Sequence, residues 1–201
     1  LKILTAKIAN EQENIQVRQI SATIIKNLLS RENYMNKWVA ISQEDKNSIK
    51  ESLLQTLASN QIMVRKLVAM AIAGIAKLEL PKNGWANIFD LLVGATHNET
   101  PYIQQSAVTA ITYIFQEIST TDVLQEKINL VLDGFFGILN QQNVQSNLIC
   151  DTLNAMETMI PFLKQNFMNK EQVEDMIKLF AGSPIELPVL LCAVYGFRRS
   201  E

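Results

Sequence analysis

Apolar residues recur at helical spacing along nearly the whole chain, and one helical phrase returns about every forty residues. Four segments share a register: VRQISATII (17–25), VRKLVAMAI (64–72), IQQSAVTAI (103–111) and LICDTLNAM (148–156). A weaker fifth, LPVLLCAVY, spans 187–195. No segment alternates apolar and polar positions as a strand would. Residues 1–9 read as a short helix, followed by a polar turn from Asn10 to Asn14. A longer helix from Val17 to Leu29 carries apolar positions at 17, 20, 24, 25 and 28. The stretch 30–41, with Tyr34 and Trp38, reads as irregular. Ser42, with Asp45 three residues on, resembles a capping box and opens a helix with core face Ile49, Leu53, Leu54 and Leu57. The next helix, 62–79, stops before Pro81, whose ring clashes with a preceding turn and which lacks a backbone donor. Gly74 inside it costs about 1 kcal/mol against alanine, so a close helix–helix contact is expected there.

The second half continues the pattern. Residues 83–96 carry Trp85, Ile88, Phe89, Leu92 and Val93. Thr100-Pro101 reads as an N-cap and a first-turn proline. The helix they open is expected to bury Ile103, Ala107, Ala110, Ile111, Ile114, Phe115 and Ile118. A helix over 122–140 is apolar around most of its circumference, and 146–165 contains Pro161, which should kink or end it. Asn169 starts a helix with a stripe of Val173, Met176, Ile177 and Phe180, and 186–199 closes the chain. A two-helix unit with a period near forty is the mark of HEAT or armadillo stacks. The expected fold is all-α, a right-handed α-solenoid of about five HEAT repeats in a single unit. Their approximate limits are 1–29, 42–79, 83–118, 122–165 and 170–199. The first (A) helices would line the convex face and the second (B) helices the concave one. Such stacks offer long curved surfaces to partners.

Composition narrows the function. Hydrophobic residues reach 48% and charged residues only 19%, as expected where each helix is covered by its partner and by neighbouring repeats. The longest apolar run, LVAMAIAGIA (67–76), is shorter than the roughly 20 residues of a membrane span, so no membrane partner is expected. A net charge of −2 without a basic stripe argues against nucleic acid. Cys150 and Cys192 read as two buried, reduced thiols of an intracellular protein. The single histidine, His97, sits in a loop beside Asn98 and Glu99 and reads as solvated structure. No C-x-x-C, H-E-x-x-H, G-x-S-x-G or glycine-rich phosphate loop occurs. The chain is therefore expected not to be an enzyme, with no catalytic residue, metal or cofactor. It starts at Leu1, inside an apparent helix, and is expected to be part of something longer.

Residue identities go further than the period. The stretch 24–59 holds Ile25-Lys26-Asn27-Leu28-Leu29, then Lys37-Trp38-Val39-Ala40-Ile41, then Leu54-Gln55-Thr56-Leu57. These resemble the I-K-N-x-L run, the R/K-W-x-x-I step and the L-x-x-L helix end of the importin-β family of nuclear import receptors. AGIAKLELPKNGWANIFDLLV (73–93) is similar to the family's A-x-I-A-x-x-E-I/L-P-x-x-x-W segment, and 107–119 with 124–135 continue the likeness. The resemblance covers roughly 15–180 and implies a transport receptor working between cytoplasm and nucleus, at the nuclear pore. It implies three kinds of partner: Ran-GTP on the concave B face, Phe-Gly nucleoporins on the convex face, and importin-α or cargo through parts absent from this chain. The implied Phe-Gly groove is formed by Leu132, Asp133 and Phe136 with Met176 and Ile177. Phe135 and Phe136 point about 100° apart on a helix, so one of them is expected at the groove or surface. The implied Ran contacts are Lys26 and Asn27. Arg65, at the same B-helix position as Arg18, would add to a basic ladder, although both arginines could equally bridge repeats through local carboxylates. The alternative is a non-catalytic HEAT scaffold subunit of a protein assembly that keeps the fold without these ligands.

Overall fold

Amphipathic segments of this length can bury their apolar stripes only against one another, and they do so as stacked hairpins. The computed structural model describes residues 1–29, 34–118 and 124–166. Among them the regular elements are all helical. They are α1 (Lys2–Ala9), α2 (Ile15–Leu29), α3 (Tyr34–Val39), α4 (Gln43–Thr56) and α5 (Ile62–Glu79), then a 3₁₀ turn (Leu80–Lys82). There follow α6 (Ile88–Thr96), α7 (Pro101–Glu117), α8 (Ile128–Leu139) and α9 (Ser146–Asn166). The hairpins α1–α2, α4–α5, α6–α7 and α8–α9 pile up so that α2, α5, α7 and α9 pack in succession. The fold is an α-solenoid. The last expected hairpin, 170–199, lies outside the described residues.

Local chemistry accounts for several helix ends. Ser42 Oγ accepts the Asp45 N–H at 3.2 Å, as the capping pattern requires. Gly74 lets α2 and α5 approach closely, because a Cβ there would lie 3.0 Å from Leu29 Cβ. Edge-on aromatic contacts link Phe89 to Phe115 (5.9 Å between ring centroids) and Phe115 to Phe162 (5.3 Å), carrying the core through α6, α7 and α9.

Other boundaries differ from the expectation. Residues 34–39, expected to be irregular, form α3, because Trp38 turns into the core and is only 2% exposed. Residues 83–87, expected to open a helix, are a turn, with Asn83 and Trp85 at φ 56° and 52°. A bulky residue in that left-handed region costs roughly 1–3 kcal/mol; burial of the Trp85 ring offsets it. Within the expected helix 122–140, Leu124 and Gln125 are helical, 126–127 form a turn and α8 begins at Ile128, while 122 and 123 lie outside the described residues. Thr100 occupies the N-cap of α7 without a side-chain cap bond; Asn98 Oδ1 instead accepts the Thr100 N–H at 2.9 Å. Pro161 does not end α9, which runs on to Asn166. Cys150 is exposed, against the expectation of a buried thiol, since it lies two residues from the buried Leu148 and so on the far side of the helix from Leu148, Thr152 and Ala155. Cys192 lies outside the described residues.

Candidate functional site

The residues that could serve partners fall on three parts of the stack. On the B-helix side, Lys26 is half-buried and Asn27 exposed, at the C-terminal end of α2. Arg18, on the same helix, faces inward and is 2% exposed. Its Nε donates to Ile8 O at 2.7 Å, its Nη1 and Nη2 clamp the two oxygens of Glu11 at 2.7 and 2.6 Å, and Nη2 also reaches Ser59 Oγ at 2.9 Å. The Arg18 hydrogen bonds hold the Glu11 carboxyl below its usual range, outweighing the opposing effect of burial.

Arg65 repeats the theme one layer on. Its Nη1 donates to Ser59 O at 2.9 Å, and its guanidinium lies 5.1 Å from the Tyr102 ring centroid. Burial pushes its pKa down, partly countered by Tyr102. The two arginines thus tie α2, the α4–α5 turn, α5 and α7 together. Arg65, implied as a Ran contact, is 7% exposed, with its guanidinium engaged by Ser59 and Tyr102. Further polar links cross the layers, Gln105 Nε2 to Asp151 Oδ2 at 2.6 Å and Lys77 to Glu117 at 2.9 Å.

On α8, Asp133 is exposed, whereas Leu132 and Phe136 are buried, as is Phe135. Neither of the paired phenylalanines sits at the open surface, Phe136 being only 7% exposed, and the groove expected for one of them would be completed by residues outside the described ones. Seven of the twelve residues of α8 are buried, at 128, 131, 132, 134, 135, 136 and 138, so directions 100° apart both lead inward. Close approach to α6 contributes: a Cβ on Gly134 would lie 2.9 Å from Thr96 Oγ1 and 3.0 Å from Val93 Cγ1. Met176 and Ile177, the other half of the implied groove, lie outside the described residues.

The third part is a cluster assembled from residues far apart in the sequence. Trp38 Nε1 donates to Glu79 Oε1 at 3.0 Å, and Lys50 forms an ion pair with Glu79 Oε2. The Lys50 ammonium also lies 5.1 Å from the Trp85 ring centroid, and the Gly84 N–H donates to Glu79 O at 2.9 Å. The spacing of Trp38, Glu79-Leu80-Pro81 and Trp85 had carried the family resemblance; the fold brings these separated residues to one place. Lys50 gave no signal, being one lysine on an amphipathic helix. Elsewhere, His97 Nδ1 lies 2.9 Å from Val93 O, closing the end of α6. Among the described residues no cluster of His, Cys, Asp and Glu could hold a metal, and no helix is long and apolar enough to cross a membrane.

Residues 2–59, which contain Trp38 and Lys50, match the family model described as the importin-beta N-terminal domain. Importin subunit beta-1 of Arabidopsis thaliana is 24% identical over 172 residues, 83% of this chain and 20% of that protein. The solved yeast importin-beta (Kap95p) superposes with a TM-score of 0.82 at 20% identity, over 96% of this chain and 24% of that one. Over most of its length the chain is similar to importin-β.

The importin-β likeness extends to two structures solved with partners. A Kap95:Nup1 complex matches with a TM-score of 0.81 at 21% identity, covering 97% of this chain and 24% of that one. A Kap95p structure whose description concerns the switch loops of RanGDP matches at 0.75 and 19%, covering 97% and 23%. At these identities the solved structures speak for the fold. The chain spans about a fifth of the length of importin subunit beta-1.

Proposed function

We propose that this chain is part of a nuclear transport receptor that moves between cytoplasm and nucleus and works by binding rather than catalysis. The observation that carries the reading is the importin-β N-terminal domain match at residues 2–59, set on a stack that continues as importin-β does. Ran-GTP is the partner we assign to the concave B-helix side. Lys26 and Asn27, half-buried and exposed at the end of α2, are its contacts, without Arg65. Phe-Gly nucleoporin segments are the partner we assign to the convex side at α8, where Asp133 is exposed and Leu132 and Phe136 are buried; Met176 and Ile177, which the resemblance adds to this groove, lie outside the described residues. Burying one phenylalanine is worth about 1.5–3 kcal/mol, so affinity for the pore would come from many weak contacts that release quickly. Importin-α or cargo would bind through other parts of the parent protein.

A second reading is a HEAT scaffold that keeps the stack without these ligands. The burial of Leu132 and Phe136, which leaves little room for an incoming ring, favours it at the convex face. Capture on immobilised Ran loaded with GTP or GDP, and on immobilised Phe-Gly repeats, separates the two. The receptor reading expects selective capture of Ran-GTP, lost in Lys26→Glu with Asn27→Ala, and retention on Phe-Gly repeats that weakens in Ile177→Asp. Equal capture of both Ran forms, together with Phe-Gly retention indifferent to Ile177→Asp, would leave the scaffold.

A further inference from the structure

The net charge of −2 conceals a strongly divided chain. Residues 1–82 hold twelve Lys and Arg against seven Asp and Glu, whereas residues 83–201 hold six against thirteen. In the basic part most carboxylates are already occupied: Glu11 by Arg18, Glu13 by Lys7, Asp45 by Lys2 and Glu79 by Lys50. Lys37, Lys46 and Lys82 have no carboxylate within ion-pair distance among the described residues.

These three lysines come from three elements and gather around one contact. Lys37 is exposed on α3, immediately before the buried Trp38. Lys46 stands one turn before Lys50 on α4, with its ammonium 5.8 Å from the Trp38 ring centroid. Lys82 is exposed at the end of the 3₁₀ turn, three residues beyond Glu79, which accepts the Trp38 indole. The Glu79 carboxylate at the centre is buried and spent on Trp38 and Lys50, so it leaves the outer lysines uncompensated. Their backbone is held by the buried tryptophans, so the charges start from a fixed platform rather than a loose loop.

We propose that the rim formed by Lys37, Lys46 and Lys82 is a docking surface for a short, carboxylate-rich segment of a partner polypeptide. An acidic strand of a few residues would meet positive potential here and gain on-rate and orientation from it. A long polyanion fits less well, because it would continue over α6 to α9, where Asp90, Glu99, Glu117, Asp133 and Glu157 are exposed. The rim shares no residue with the Ran and Phe-Gly surfaces proposed above, so it stands or falls separately from them.

The test uses the full 201-residue chain and a fluorescein-labelled deca-glutamate peptide, followed by fluorescence anisotropy. Replacing Lys37, Lys46 and Lys82 together by Glu should weaken association about tenfold or more, with helical content unchanged by circular dichroism. A variant with the same change of net charge spread over the stack, Lys7→Glu, Lys66→Glu and Lys127→Glu, should weaken it far less. The difference should shrink at roughly 0.3 M salt, where the Debye length falls well below that at 0.1 M. Equal weakening by both triple variants, or by neither, would overturn the proposal. So would a deca-thymidylate strand that binds as tightly as the peptide and responds in the same way to the rim substitutions, since phosphate binding would then be the rim's property.

Discussion

The indole N–H of Trp38 reaches across two hairpins to the carboxylate of Glu79, 3.0 Å away and 41 residues along the chain. That one contact locks the α2–α4 connection against the end of α5, and Lys50 completes it from α4. Trp38→Phe keeps the ring and removes the donor. It should cost about 1–3 kcal/mol in urea unfolding, because a buried carboxylate oxygen is left short of a partner. Lys50→Met should cost more, about 3–5 kcal/mol, because it strands the Glu79 charge. The double variant Lys50→Met with Glu79→Gln should recover much of that loss.

Glycines at helix contacts should separate cleanly from glycines in open space. Gly134→Ala would drive a Cβ into Thr96 Oγ1 and Val93 at 2.9 and 3.0 Å and should destabilise by about 1–3 kcal/mol as α8 is pushed off α6. Gly94, in α6, has nothing within 4 Å of its would-be Cβ, so Gly94→Ala should stabilise by about 0.4–1 kcal/mol. A thermal melt in which both substitutions act alike would contradict this packing.

Glu11 should lend the first hairpin a pH dependence. Its carboxyl titrates below the usual range in the folded protein, chiefly because Arg18 donates two hydrogen bonds to it. A depressed folded pKa stabilises above the unfolded value, near 4.3, and that contribution fades as pH falls through the lower folded value. Wild type should therefore exceed Glu11→Gln in melting temperature at neutral pH, with the gap closing in acid. Glu11 is partly exposed, so the gap should be modest and reduced by salt.

Equivalent register positions should respond differently by layer. Ile20 and Ile24 on α2 are 60% and 41% exposed, while Ala71 on α5, which repeats the place of Ile24, is fully buried against its neighbours. Ile24→Gln should change stability by less than about 0.5 kcal/mol, and Ala71→Gln should cost several times that by overpacking and by burying an unpaired amide. Chemical denaturation of the two single variants checks it.

Helical spacing alone announced the all-α character and the forty-residue recurrence, because 3.6-residue periodicity is written into each segment locally. The Ser42 cap and the close contact at Gly74 were legible for the same reason: each depends on residues near in sequence or on one missing side chain. The family likeness could be read from the tryptophan and proline spacing, although its cause could not. Burial was another matter. Phe136 turned inward and Arg65 toward the Tyr102 ring because of layers packed from roughly forty residues away. A linear pattern assigns a residue to one side of its own helix. Whether that side meets solvent, a guanidinium or another helix is set only when the hairpins stack.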